Sequence, residues 1–487
     1  MLYLTKHRAE CICHIRYSLK EPNLSEAKDQ GDQRVSYDPK STRLLTFYDK
    51  VSSFHDGTDT PRAFLEHCIE TIESREPTVR AFVNTSIDRA RVTADEASSR
   101  YKKGSPLSPL DGMPIAIKDV FETEDMPMQL GSPLFDGYET GWDAASVYFL
   151  RRGGAVVVGK TVTTEFAFGD PGPARNPWDI NRTPGGSSSG SGAAVGASMV
   201  PAATGTQVRG SVLRPACYCG AWALKPSHGA INTRGGFPSP PSVGHLGILA
   251  GSIADAWITA YWLSRNAGGD AGHPSLKGEA VLPKAQKPAR IAKIESAGWE
   301  ETPPETREIF NDMLQKLERR GVEIVSREED ADLEAYEQDL IKLREIMEIT
   351  LAYEGRWPLM MYADKRPEKL GDRVRNRAIS SADITPEQYE ETLIWSAAAK
   401  IRHEALSKKY DALITLNATG PAPEGMPVGN AVYGEHSSQL GVPALNAPLL
   451  VQDGMPLGIQ LFGYYRRDFE LVAIGHWLIH AVLRDED

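Results

Sequence analysis

Two short, largely apolar runs constrain this chain more than anything else in its sequence. Residues 114–120 read PIAIKDV, and residues 155–158 read AVVV between Gly153-Gly154 and Gly159. Neither alternates apolar with polar positions, as a half-exposed strand would. Runs of this length, rich in β-branched residues and bounded by glycine, are strands buried on both faces. Between them, residues 145–152 carry a helical pattern. A strand–helix–strand order of this kind predicts an α/β fold, with a sheet covered on both sides.

Other elements follow from caps and periodicity. Thr60 is a good N-cap and Pro61 suits a first helical position; Phe64, Leu65, Cys68, Ile69 and Ile72 then make one apolar stripe. Further helices are predicted over 84–102, 193–200, 304–320 and 468–483, a long helical zone over 332–354, and another helix from Thr385-Pro386. Residues 412–415 read as a strand. Residues 449–451 and 457–462 flank Asp453-Gly454, a hairpin signal. Residues 1–40 are polar and without sustained periodicity, and read as an extension.

Composition excludes some functions. A formal charge of -11 disfavours nucleic acid as the main partner, because phosphate binding needs a basic face. No apolar run approaches the roughly 18 residues of a membrane helix. The N-terminus is basic but lacks the apolar core of a signal peptide, although Arg8, Arg16 and Lys20 leave an organelle presequence open. The cysteines are Cys11, Cys13, Cys68, Cys217 and Cys219, an odd and sparse set that suggests reduced thiols and a cytoplasmic location. Their spacing does not suggest a metal site, and no cofactor is implied.

Two motif matches fail on structural context. Residues 154–161 (GAVVVGKT) satisfy the P-loop pattern, but the predicted strand lies inside the motif and leaves no loop to cradle phosphate. Gly186-Ser187-Ser188-Ser189-Gly190 satisfies the nucleophile-elbow pattern, but the preceding NRTPGG cannot form the required strand.

A serine nucleophile needs a base, and no histidine has a clear claim to that role. What recurs is a strand lysine (Lys118), a glycine-flanked serine cluster (Ser187, Ser188, Ser189, Ser191) and a further serine after Gly210 (Ser211). On pattern alone each has a structural alternative. Lys118 could be a surface charge at a strand end. The clustered serines, and Ser211, could cap helices.

The text around these residues is more specific. Residues 185–226 read GGSSSGSGAAVGASMVPAATGTQVRGSVLRPACYCGAWALKP; upstream lie GMPIAIKD (112–119), GKTVTTEFA (159–167) and Asn176-Pro177-Trp178; near the C-terminus lie LGVP (440–443) and LGIQL (457–461). Together these resemble the amidase-signature family. The likeness covers roughly residues 42–487, strongly over 110–230 and weakly over 270–410. It implies an α/β/α sandwich around a large mixed, mostly parallel twisted sheet, in one domain over 41–487. It also implies a Ser–cis-Ser–Lys triad. Carried over by position, Lys118 is the base, Ser187 the relay, whose peptide bond is cis in the family, and Ser211 the nucleophile. The backbone N–H groups of Val208, Arg209, Gly210 and Ser211 are the implied oxyanion hole. A lysine buried in such a strand loses its charge by desolvation, as a base must.

The chain departs from the family where it reads GTQVRGSVLRP and the family commonly reads GTDxGGSIRxP. Gln207 and the shifted Arg214 resemble a variant of one bacterial-type branch. Arg209 replaces a glycine. Either its φ is ordinary and it pairs with a carboxylate or faces solvent, or it lies at the pocket wall and favours an acidic substrate. The resemblance implies an amidohydrolase acting on a small-molecule amide, or a carbamoyl- or urea-type compound. The alternatives are a component of a glutamine-dependent amidotransferase assembly and a non-catalytic binding protein on the same scaffold. Homodimerisation, common in the family, is left open. The variable region at about 270–440, chiefly 300–440, is expected to line the pocket, with residues 164–170 adding part of the wall.

Overall fold

The computed structural model of the chain describes residues 35–484. The extension expected over 1–40, the presequence residues and Cys11 and Cys13 therefore fall largely or wholly outside the described residues. Within them, Tyr37 is buried: its N–H donates to Gly454 O at 2.7 Å and its ring lies edge-on to Trp178 at 5.0 Å.

Eleven strands form one sheet. In chain order they are β1 (Phe82–Thr85), β2 (Pro114–Lys118), β3 (Val156–Thr161), β4 (Ala202–Gln207), β5 (Trp222–Lys225), β6 (His245–Ala250), β7 (Arg290–Lys293), β8 (Glu323–Val325), β9 (Ala412–Leu416), β10 (Ala444–Gln452) and β11 (Met455–Phe462). Their spatial order is β1-β3-β2-β4-β6-β5-β10-β11-β9-β7-β8. Side chains along the central strands alternate between two cores, one on each face. Ile115 and Ile117 of β2 enter one, Ala116 the other; Val157 of β3 joins the first, Val156 and Val158 the second. The helices Ala145–Arg152, Ile253–Asn266, Pro304–Arg319 and Asp468–Leu483 cover the first core; Pro61–Val79, Ile87–Lys102, Ser189–Gly196 and Leu213–Cys219 cover the second. This is the expected sandwich around a mixed sheet.

The strand directions correct one part of that expectation. β2 is parallel to β3 and β4, and β7 to β8 and β9, but the other neighbouring pairs, six of ten, are antiparallel. The sheet is mixed but not mostly parallel. An apolar run signals burial on both faces, and here helices cover parallel and antiparallel strands alike, so the run carries no information on direction.

Local signals hold where capping chemistry is explicit. Thr60 Oγ1 accepts from Ala63 N–H at 3.1 Å, and Thr385 forms a capping box with Gln388. Asp453 and Gly454, both at positive φ, close the β10–β11 hairpin. Three boundaries differ. Residues 84–85 belong to edge strand β1, and the helix begins only at Ile87. The zone over 332–354 is two helices, Ala331–Ile341 and Leu343–Lys365, the second kinked at Trp357 before Pro358. The helix expected over 193–200 is Ser189–Gly196.

Candidate active site

β2 and β4 run parallel, and their C-terminal ends carry Lys118 and the Thr206–Gln207 pair. Crevices at the carboxyl ends of parallel strands are where α/β sheets bind ligands. Lys118 is fully buried. Its Nζ donates to Ser187 Oγ at 2.8 Å and to Thr206 Oγ1 at 2.7 Å, and its backbone N–H donates to Thr204 Oγ1 at 2.9 Å. Desolvation drives its pKa well below the ordinary lysine value. The surface-charge alternative for Lys118 is thereby removed.

The Gly186–Ser187 peptide is cis. Ser187 O accepts from Thr164 N–H at 3.1 Å, and Gly186 O accepts from Arg214 Nη2 at 2.5 Å, so both carbonyls flanking the relay position are held. Ser188 N–H donates to Ser211 O at 3.3 Å, tying the serine cluster to the second serine. Ser187, Thr206 and Ser211 line one cavity of about 480 Å3.

The clustered serines do not cap the helix that begins at Ser189. Ser191 Oγ instead donates to Thr204 O at 2.8 Å, and Ser188 Oγ donates to Thr206 O and accepts from Thr206 N–H. They fasten the Gly/Ser segment to β4. Nor is Ser211 a cap. Gln207 Oε1 accepts from Val212 N–H at 3.0 Å and Leu213 N–H at 3.1 Å, and Gln207 Nε2 donates to Ser438 Oγ. That accounts for glutamine at this position: its carboxamide serves the start of the Leu213–Cys219 helix.

Val208, Arg209 and Ser211 also line the cavity, with Gly210 between them. Among the described residues, no turn or loop carbonyl accepts from the backbone N–H of Val208, Arg209, Gly210 or Ser211. The left-handed conformation falls on Gly210 (φ +99), not on Arg209. A side chain at Gly434 would meet Gly210 Cα at 2.4 Å, so close backbone approach requires glycine there. Arg209 therefore carries no left-handed strain. It lines the cavity and is paired: its guanidinium binds Glu435, with Nε–Oε1 at 2.7 Å, and Glu348. Glu435 is only 2% exposed in its side chain. Truncating Arg209 to alanine is expected to destabilise the fold by about 3 kcal/mol, because it strands a buried carboxylate. Urea unfolding measures this; a loss below about 0.5 kcal/mol, typical of a surface change, would contradict it.

Lys160 of the rejected P-loop match lies within β3 and pairs with Asp119 at 2.9 Å, both side chains fully buried. Asn176 Nδ2 donates to Thr183 O and Tyr218 O, and Trp178 Nε1 to Cys219 O, so that motif anchors the Gly/Ser segment from outside the cavity.

The expected wall residues are partly found. Phe166, Ala167 and Phe168 line the cavity, as do Leu351, Leu359 and Arg377 from the variable region. Sequence reasoning missed two features. Thr206 and Thr204 share one face of β4, a period-2 signal that the small residues of this strand mask. The loop bearing Phe237 and Pro240 also lines the cavity, and lies outside the expected range. It is pinned by Glu354, which accepts from Ser242 N–H at 2.9 Å and Ser242 Oγ at 2.5 Å, and from Tyr389 Oη at 2.7 Å.

With this geometry in place, comparison with known proteins is decisive. The amidase family model matches residues 63–472. The chain belongs to the amidase-signature family. A glutamyl-tRNA(Gln) amidotransferase subunit of Coxiella burnetii is 29% identical over 468 residues, covering 88% of this chain and 96% of that one. A crystal structure of an amidase superposes with a TM-score of 0.76 at 26% identity, covering 89% of this chain and 99% of the other. A protein solved in a vestigial complex that bears on the origins of an s-triazine catabolic enzyme superposes with a TM-score of 0.77 at 27% identity, covering 90% and 98%. The chain is thus an amidase-signature hydrolase acting on C–N bonds. Among its described residues, no helix is long and apolar enough to cross a membrane.

Proposed function

We propose that this chain is a stand-alone amidohydrolase. It cleaves a small-molecule carboxylic amide, or a carbamoyl- or urea-type C–N bond, through a covalent acyl-enzyme at Ser211. The observation that carries this reading is the 2.8 Å contact between the buried Lys118 Nζ, its pKa lowered by desolvation, and Ser187 Oγ beside the cavity that Ser211 lines.

Ser211 Oγ attacks the carbonyl carbon and its proton passes to Ser187, whose own proton passes to neutral Lys118. Thr206 Oγ1 accepts from the same amine and holds it beside Ser187; to take the proton, the amine turns its lone pair to Ser187 Oγ in place of the N–H it donates there. The tetrahedral oxyanion is held by the N–H groups of residues 208–211; losing one such donor costs about 3–4 kcal/mol. Collapse breaks the C–N bond, and the departing amine takes a proton from Ser187, which Lys118 replaces. Water then releases the acid by the same route. Residues 41–487 form the catalytic domain in this reading, residues 1–40 are an extension to it, and the protein is cytoplasmic.

A second reading is favoured by the name of the relatives: a component of a glutamine-dependent amidotransferase assembly. One experiment separates the two. The purified chain alone is expected to release ammonia from simple amides and to run without other polypeptides. Activity only on glutamine, and only with added partner polypeptides, would instead establish the second reading.

A further inference from the structure

The cavity wall has a composition that the reaction alone does not explain. Val120, Phe166, Phe168, Phe237, Leu351 and Leu359 face it, so much of its lining is apolar and aromatic. Phe166 is held from behind. Its ring stacks on Tyr362 at 5.6 Å with 27° between planes, and packs against Phe135 at 5.9 Å and Phe237 at 5.3 Å. Phe166 and Ala167 both take left-handed backbone, at φ +49 and +66. Two adjacent non-glycine residues in that region are unfavourable, and such pairs persist where the surroundings fix them, most often at functional sites. Here Phe166 N–H donates to Leu130 O at 2.8 Å and Ala167 N–H to Thr164 O at 2.9 Å.

Three of the four arginines that line the cavity are already matched. Arg209 binds Glu435 and Glu348, Arg377 binds Glu348 at 2.9 Å, and Arg344 binds Glu301 at 2.9 Å. Arg377 also sits over the Phe168 ring at 5.7 Å. Among the described residues Arg214 has no carboxylate partner: its Nη2 donates to Gly186 O, and its Nε and Nη1 are buried without a hydrogen-bond partner, behind the surface that a substrate touches. Among the described residues, a carboxylated substrate would meet no exposed unpaired cation in this wall, and would have to displace a carboxylate of the protein from its arginine or draw the buried Arg214 out of its packing.

We propose that the cavity takes a neutral amide carrying a flat apolar ring, seated against Phe166, Phe168 and Phe237. The inference rests on the amidohydrolase reading above. Aromatic side chains offer such a ring offset-stacked and edge-on contacts.

The test measures kcat/KM for matched pairs: phenylacetamide against acetamide, and N-benzylacetamide against N-methylacetamide, with succinamate as the carboxylated member. At least one ring-bearing member is expected to exceed its ring-free counterpart by about 30-fold, from burial of the ring. Succinamate should fall below acetamide. Phe168→Ala should shrink the favoured ratio by about tenfold; a merely structural defect would lower both members of a pair together and leave the ratio unmoved. Turnover of acetamide with no gain from a ring, a ratio unchanged in Phe168→Ala, or preference for succinamate overturns this inference alone. Absence of turnover on every amide overturns it together with the reading it rests on.

Discussion

Replacing Ser211 with alanine is expected to lower kcat by on the order of 10^5-fold while leaving the fold intact. The size follows from the role. Loss of a nucleophile that forms a covalent intermediate leaves only binding and the oxyanion donors to act. The fold should survive because the backbone carbonyl of Ser211 is what Ser188 N–H uses, and alanine keeps it. Gln207, not Ser211, serves the start of the following helix. Steady-state kinetics and circular dichroism of the variant check both halves. Retained turnover would remove Ser211 from the chemistry.

The second large effect is expected at Lys118, where activity and stability should move in opposite directions. Lys118→Met should lose activity on the scale of Ser211→Ala, because the proton leaving the nucleophile then has no acceptor behind Ser187. The wild-type kcat/KM should rise with pH as the buried amine gives up its proton; the residual activity of the variant should lack that rise. Stability has the reverse sign. Desolvation depresses the lysine pKa in the folded chain, whereas the unfolded chain titrates near 10.4. Between those values the unfolded state binds more protons, so lysine lowers stability at neutral pH and this penalty fades as pH climbs toward the unfolded value. Lys118→Met should therefore be more stable than wild type at pH 7, and the gap should narrow by pH 10. Ser187 and Thr206 lose a partner in the variant, but both line the cavity and can turn to water. A variant less stable than wild type at pH 7 would mean that the amine is charged in the fold.

The residues that carry these expectations are legible because strong local chemistry marks them. A lysine inside PIAIKDV must be buried if the run is a strand, and the structure buries it. The Gly/Ser-rich segment announces close backbone approach, and it is packed between β4 and the Leu213–Cys219 helix. What the sequence conceals depends on tertiary context. β1 reads as part of a helix because Asn84 and Thr85 are polar and partly exposed, as an edge strand permits. β4, with its small residues, hides the Thr204–Thr206 pairing that receives Lys118. Arg209 is ambiguous in sequence because its partners, Glu348 and Glu435, lie more than a hundred residues away in the chain. Phe237 joins the cavity through a loop fixed by Glu354 of a distant helix, a contact that no local pattern encodes.

The most direct measurement is the site and rate of covalent labelling by a fluorophosphonate, with the adduct located by peptide mass spectrometry. The Ser211–Ser187–Lys118 assignment predicts an adduct on Ser211 in the wild-type chain, none in Ser211→Ala, and slow formation without a rise toward alkaline pH in Lys118→Met. An adduct on a different residue, or labelling of Ser211→Ala at the wild-type rate, would contradict it.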